Sequence, residues 1–240
     1  MAAFMSMHAG LSADPDAGGH AGLMDNVYRR QRYIYDFSRK YYLLGRDAVI
    51  RELALQPGQS LVEIGCGTAR NLIAIARRYP EARLYGLDAS AEMLKTARQQ
   101  LARAGLENRV VLVQGLAEEL TPGHFGQQAF DHALFSYSLS MIPGWREAIC
   151  ATAKAISPQG IVHIVDFGDL KTMPGRALLR RWLSLFHVTP REELLEALER
   201  EVGQADKGLN VLPGRYAFRL KLAKGKLGPL ACGGTVTAQG

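Results

Sequence analysis

Cysteine is scarce in this chain: Cys66, Cys150 and Cys232 stand far apart, an odd set without metal-ligand spacing. That scarcity excludes a disulfide framework and a zinc site as the organising principle, and it fits a reducing, cytoplasmic compartment. Long apolar runs are missing too. No stretch approaches the ~20 residues of a membrane-spanning helix, and the N-terminal stretch lacks the charged and apolar blocks of a secretory signal. There is no internal repeat. Aromatic residues make up only 8% of the chain, so their concentration between Tyr28 and Tyr42 asks for an explanation.

The 240 residues, 48% of them apolar, are enough for one sizeable core. Residues 1–22, rich in Ala, Gly, Met and Asp, and residues 224–240, rich in glycine, read as poorly ordered tails. Between them, short apolar runs alternate with helical patterns. "SLVEI", "ARLYGLD", "RVVLVQG", "HALFSYS" and "GIVHIVD" read as strands, with helices near 69–78, 90–104 and 145–156. The alternation predicts a mostly parallel sheet with helices on both faces. Later come the helical patterns "GRALLRRWLSLF" and "PREELLEALERE", and "GLNVLPGRYAFRLKL" as a closing antiparallel pair. Residues 23–52 read as a basic, aromatic helical cap before the main domain, expected over 53–223.

The most informative stretch is "LVEIGCGTARN", residues 61–71. A strand followed by Gly-x-Gly and a helix points backbone N–H groups and a positive helix end at a ligand, which suits anions and carboxylates. A kinase-like phosphate loop needs Gly-Lys-Ser/Thr next, but Thr68, Ala69 and Arg70 follow. A dinucleotide fingerprint needs a third small residue where Arg70 stands. Asp88 ends the second strand, and a carboxylate there can accept both hydroxyls of a ribose. The pattern therefore favours an adenosine without phosphates.

"LVEIGCGTARN" and "LYGLDASAEML" resemble the first two motifs of the class I S-adenosylmethionine-dependent methyltransferases, whose fold is a Rossmann-like, seven-stranded α/β sheet. The resemblance implies that Gly65, Cys66 and Gly67 line the methionine part of the donor, helped by Glu63 and Asn71. Asp88 would take the ribose, and Ala89 and Met93 would flank the adenine. In the third motif, "VQGLAEEL", the usual acid is replaced by Gly115, Leu116 and Ala117, leaving the adenine amine to backbone carbonyls or Glu118. "FSYSLSMIPGW" resembles the fourth motif and places Ser136, Tyr137 and Ser138 near the transferred methyl. Tyr42 and Arg46 join the donor site from the cap.

Five of the nine tyrosines, Tyr28, Tyr33, Tyr35, Tyr41 and Tyr42, fall among arginines in the cap. Tyr28, Tyr35 and Tyr42 recur every seven residues and share a helix face. An aromatic wall suits amine methylation, because ring faces stabilise a quaternary ammonium product by ~0.5 to 2 kcal/mol each. The basic residues between 29 and 51 favour a polyanion, whether a lipid surface or nucleic acid. "MDNVYRRQRYIYDFSRKYYLLGRD", "HIVDFGD" and "FHVTPREELL" resemble the bacterial N-methyltransferases of betaine-lipid synthesis, which convert diacylglyceryl-homoserine to diacylglyceryl-N,N,N-trimethylhomoserine.

That resemblance implies three successive methylations of one lipid amine at the inner membrane face. It also implies as a partner the enzyme that makes diacylglyceryl-homoserine. Phosphatidylethanolamine is the alternative acceptor, and an RNA methyltransferase or a non-catalytic membrane-docking module are rivals. Neither an RNA-binding module nor an Asn-Pro-Pro-Tyr motif is present, so no nucleic-acid partner is expected. Tyr35, Tyr137 and His187 are the candidates to orient or deprotonate the amine, beside His163 and Asp166. Tyr28 and Arg191 are the candidates to bind the acceptor. His163, inside an apolar run, reads as a core histidine.

Overall fold

The computed structural model describes residues 43–172, 175–184, 192–202 and 208–227. At its centre lies β1 (Ser60–Ile64), buried at all five positions. A strand covered on both faces has no reason to alternate, which is why "SLVEI" reads as a continuous run. On one side lie β2 (Arg83–Asp88) and β3 (Val110–Gln114). On the other lie β4 (Phe130–Ser136), β5 (Ile156–Phe167) and the antiparallel pair β6 (Leu209–Val211) and β7 (Ala217–Ala223). The order is β3-β2-β1-β4-β5-β7-β6. Strands β1 to β5 pair in parallel, and β7 pairs antiparallel with both β5 and β6. This is the expected mostly parallel, seven-stranded α/β architecture. In such a sheet the crevice lies at the carboxyl ends of β1 and its neighbours, where the strand order reverses.

Two helices show how the sequence builds the layers. In α2 (Arg70–Arg78), buried Asn71, Leu72, Ile75 and Ala76 lie at helical spacing, while the arginines of its last turn face outward. In α3 (Ala91–Arg103), the Ser90 hydroxyl accepts from the Met93 N–H, and the buried stripe runs through Met93, Leu94, Ala97 and Leu101. One core cluster joins Leu61, Leu84 and Leu134 to α2, α3 and α1 (Arg46–Glu52); the other joins Val62, Ile64, Phe130 and Phe135 to α4 (Trp145–Ala155) and α6 (Glu192–Val202). The remaining helix is α5 (Arg176–Ser184). Since Leu61 belongs to the first cluster and Val62 to the second, the two-residue period puts Glu63 on the face covered by α1 and α2.

Three details depart from expectation. The turn Lys224–Lys226 after β7 seats Leu227 in the core, so order runs past residue 223, where the flexible tail was expected to begin. Strand β5 starts at Ile156 rather than near Gly160, with a register shift against β4 between Phe130 and His132. Cys150 is disulfide-bonded, whereas the spacing of the cysteines argued against bridges. Within the expected cap only residues 43–52 are described. The 1–22 tail and Tyr28, Tyr35 and Tyr42 lie outside the described residues, as do His187 and Arg191.

Candidate active site

The site starts at the tip of β1. Gly65, Gly67 and Ala69 all have positive φ, +71°, +54° and +62°, and so curl the chain tightly from strand to helix. Gly65 is held by sterics as well as by φ: a Cβ there would lie 2.5 Å from the Ser138 Cβ. Gly67 has nothing within 4 Å of its missing Cβ, which leaves open space above the loop. The N–H groups of Gly65 and Cys66 donate to the Leu87 carbonyl at 2.8 and 3.0 Å, tying the loop to the end of β2.

Asp88 completes that junction. One carboxylate oxygen accepts from the Gly67 N–H at 2.7 Å and the other from the Ser90 N–H at 2.9 Å. The Gly115 N–H donates to the Asp88 carbonyl, and the Gln114 amide donates to the Ala89 carbonyl, so the third loop closes on the second. Gly115, exposed Leu116 and buried Ala117 thus border the same crevice as Ala89 and buried Met93. Glu118 leans over Gly144, where a Cβ would come 2.8 Å from its Oε1.

Glu63 lies beneath the loop, 1% exposed. Its Oε1 accepts from the Asn71 amide at 2.6 Å, and its Oε2 is buried without a hydrogen-bond partner. Burial pushes its pKa up from 4.5 to about 8, against the pull of the Asn71 hydrogen bond and the Arg46 charge. Cys66 is buried beside it, its thiol pushed up by burial and by the charges of Asp88 and Glu63. An orphaned carboxyl oxygen under a cradle of positive-φ glycines fits a ligand that brings a cation to Glu63 and a diol to Asp88. S-adenosylmethionine has both. Glu63, Gly65, Cys66, Gly67, Asn71, Asp88, Ala89, Met93, Gly115 and Ala117 are thereby brought together, with buried Arg46 approaching from α1.

The segment after β4 behaves differently from expectation. Tyr137 has φ +56° and is buried, with its ring edge-on to Phe167 at 4.7 Å. Its hydroxyl donates to the Leu44 carbonyl, and burial raises its pKa far above the usual phenol range. Tyr137 therefore keeps its proton and pins the start of α1 to the sheet, in place of the catalytic role expected for it. Ser138 donates to the Ile64 carbonyl at 2.7 Å and packs under Gly65, while the Ser136 Oγ is buried without a partner. Asp166 accepts from the Ser140 and Phe167 N–H groups at 2.9 and 2.8 Å and shapes the turn after β4. Burial lifts its pKa to about 6 despite those donors.

His163 is a core histidine, as its apolar setting predicted. Its Nε2 lies 3.0 Å from the His132 Nδ1, the rings stack, and burial lowers the pKa to about 3 for His163 and about 4 for His132. Sequence reasoning missed the cluster behind the crevice. Arg215 binds Asp169 through Nε and Nη2 at 2.8 Å and Glu199 through both terminal nitrogens at 2.9 Å. It locks the segment after β5 to α6 and to the turn before β7. These partners are up to 46 residues apart, so no local pattern announces them.

Comparison with known proteins agrees with this geometry. Residues 61–160 match the model of a methyltransferase domain family. The chain is 33% identical over 140 residues to a demethylmenaquinone methyltransferase of Geobacillus stearothermophilus, covering 58% of this chain and 57% of that one. A demethylmenaquinone methyltransferase of Desulfitobacterium hafniense is 31% identical over 147 residues, with 59% and 56% covered. The chain thus spans a little over half the length of these relatives. Among solved structures, the S-adenosylmethionine-dependent methyltransferase SibL superposes with a TM-score of 0.59 at 21% identity, covering 87% of this chain and 70% of that one. A methyltransferase from Aquifex aeolicus gives 0.56 at 16% identity, over 83% and 96%. The fold is that of the class I S-adenosylmethionine-dependent methyltransferases. The relatives carry a quinone methyltransferase's name where the sequence resembled the betaine-lipid enzymes.

Proposed function

We propose that this protein is an S-adenosylmethionine-dependent methyltransferase acting on a lipid-borne acceptor, the amine of diacylglyceryl-homoserine. The observation that supports the donor half of the reading is the junction of loop and acid, Gly67 bound to Asp88 over the buried, half-satisfied Glu63; the acceptor half rests on the sequence resemblance. When bound, the donor supplies an electrophilic methyl group on sulfur. Asp88, held square by two backbone donors, orients the ribose; Glu63 takes the ammonium of the methionine part; Gly67 leaves the room both need. Positioning the acceptor about 3 to 3.5 Å from that methyl accounts for most of the rate.

An amine is a suitable acceptor here because it asks for little proton chemistry. A free α-amino group titrates near about 8, so part of it is neutral at pH 7. Of the candidate bases among the described residues, Tyr137 holds its proton on Leu44 and His163 is sequestered with His132. The composition of the aromatic, basic segment from Tyr28 to Arg51 suits the acceptor side: a ring such as Tyr35 would favour a methylated nitrogen, and Arg46 or Arg191 a carboxylate.

A second reading, methylation of a demethylated menaquinol, is favoured by the names of the relatives at 31–33% identity. Both acceptors are amphiphiles. Purified protein is given labelled donor with diacylglyceryl-homoserine, phosphatidylethanolamine or demethylmenaquinol in mixed micelles, and products are weighed by mass spectrometry. The proposal expects mono-, di- and trimethyl homoserine lipid. Label on the quinol alone replaces the acceptor, and absence of donor binding overturns the enzyme reading.

A further inference from the structure

Large apolar side chains exposed among the described residues are Leu44, Val111, Leu116, Met141 and Leu178. Val111 lies on the edge strand β3; the other four lie in segments at or beyond the carboxyl ends of the parallel strands. Leu116 follows β3, Met141 follows β4, and Leu178 lies on α5, which follows β5. Leu44 is tied to the end of β4 through the Tyr137 hydroxyl. All four therefore belong to the carboxyl rim of the parallel strands, the rim that holds the donor crevice. Exposed apolar groups strung along the rim of a cleft are candidates for an interaction surface.

Helix α5 gives that surface a sign. Its sequence, RALLRRWLS, holds three arginines and no acidic residue. Gly175, Arg176, Ala177, Leu178 and Arg181 are exposed, and Leu179 packs against the core cluster of Leu43, Tyr137, Phe167 and Leu170. Leu178 is 75% exposed, the most of any large apolar residue described. Of the five glutamates of α6, Glu196, Glu199 and Glu201 are matched by Lys171, Arg215 and Arg146, and Glu193 is exposed. A cationic helix that holds leucine out to solvent has the chemistry of an interfacial helix, whose apolar residues enter the acyl boundary while its arginines meet lipid phosphates.

We propose that α5, with Leu44, Leu116 and Met141, is a docking surface for an anionic lipid bilayer that sets the mouth of the crevice against the membrane. The proposal rests on the lipid-borne acceptor of the previous section and gives it an entry route. It also puts part of the membrane contact outside residues 29–51, whose charge favours a polyanion.

The test is co-sedimentation of the full chain with vesicles of phosphatidylcholine alone and of phosphatidylcholine and phosphatidylglycerol in equal parts. The parent should bind the anionic vesicles and lose them as salt rises. Leu178→Ser should lower binding about tenfold, the loss of one leucine from the apolar phase. Arg176→Gln should lower it about fivefold. Both variants should keep parental donor affinity, and parental activity on an acceptor with short, water-soluble acyl chains, while losing activity on acceptor in vesicles. Parental vesicle binding by Leu178→Ser would overturn the proposal, as would a parent that ignores anionic vesicles. Self-association of the lipid-free parent that Leu178→Ser abolishes would make the face a contact between chains and also overturn it. Vesicle binding that follows the prediction, in a parent that methylates no acceptor in any form, would leave the docking surface standing and remove the functional reading.

Discussion

Replacing Glu63 with glutamine probes the buried carboxyl under the glycine loop. In the folded chain, burial lifts its pKa from 4.5 to about 8, while the Asn71 amide, Arg46 and Arg70 pull it down and Asp88 adds to the rise. The unfolded chain gives up this proton near 4.5 and the folded chain near 8, so the folded state binds more protons in between. Stability must then fall as pH rises through that window, by at most about 1.4 kcal/mol per pH unit. Glutamine does not titrate, and its oxygen can still accept from Asn71. Glu63→Gln should remove this slope and exceed the parent in stability above pH 8 by up to roughly 5 kcal/mol. Donor binding should move the opposite way. A cation at Oε2 favours the carboxylate, so the parent should release a proton on binding at pH 7, and its affinity should rise toward pH 8 by up to about tenfold per unit. The variant should release none and bind more weakly by on the order of 1.5 to 3 kcal/mol, independent of pH. Calorimetric titrations in buffers of different ionisation enthalpy count the protons, and thermal melts across pH give the stability. Parallel stability profiles for parent and variant, with no proton released by the parent, would refute the reasoning.

Asp88→Ala should weaken donor binding by about 1.5 to 3 kcal/mol in calorimetry, since it removes a charged acceptor that also holds the Gly67 N–H. Gly65→Ala should lower the melting temperature through its positive φ, about 1 to 2 kcal/mol, and through overlap with Ser138; adding Ser138→Gly should recover only the overlap. Gly67→Ala meets open space, so its stability loss should stay near the φ cost alone, about 1 to 2 kcal/mol, while donor affinity falls steeply. Arg215→Met should destabilise by about 3 kcal/mol in denaturant titrations by leaving fully buried Asp169 without its guanidinium, and Asp169→Asn should recover part of that.

The strand-loop-helix geometry of the candidate donor half was legible because its determinants are local. Glu63, Gly65, Gly67 and Asn71 fall within one strand-loop-helix unit, and Asp88 ends the next strand, so spacing along the chain maps onto spacing in space. The start of β5 was not legible, because Pro158 and Gly160 break the apolar run that begins in earnest only at "GIVHIVD". A Cβ on Gly160 would come 2.8 Å from that of Ile156, so the strand bends there without ending. Tyr137 was misread for a conformational reason. Beside two serines at the end of β4 it looked substrate-facing, but its left-handed backbone turns the ring onto Phe167 and its hydroxyl to Leu44. The Arg215 cluster joins residues from three separate segments, and nothing local distinguishes Asp169 from any other loop carboxylate.

The same locality bears on what the match to the relatives covers. The matched methyltransferase domain, residues 61–160, contains β1 to β4 and the first residues of β5, and with them Glu63, the glycine loop, Asp88 and the Gly115 loop. It stops before Asp169, α5, α6 and the closing hairpin, and it begins after α1 and the aromatic segment. An adenosine sulfonium makes the same demands whatever is methylated, so the donor half can stay fixed while the acceptor changes. On the proposed reading the acceptor is left to segments outside the matched domain, and among the described residues these are held by contacts such as Tyr137 to Leu44 and Arg215 to Asp169, whereas the turn after β4 reaches the donor loop through Ser138 under Gly65. Substitutions that switch between an amine and a quinol should therefore concentrate in those segments and leave donor affinity unchanged.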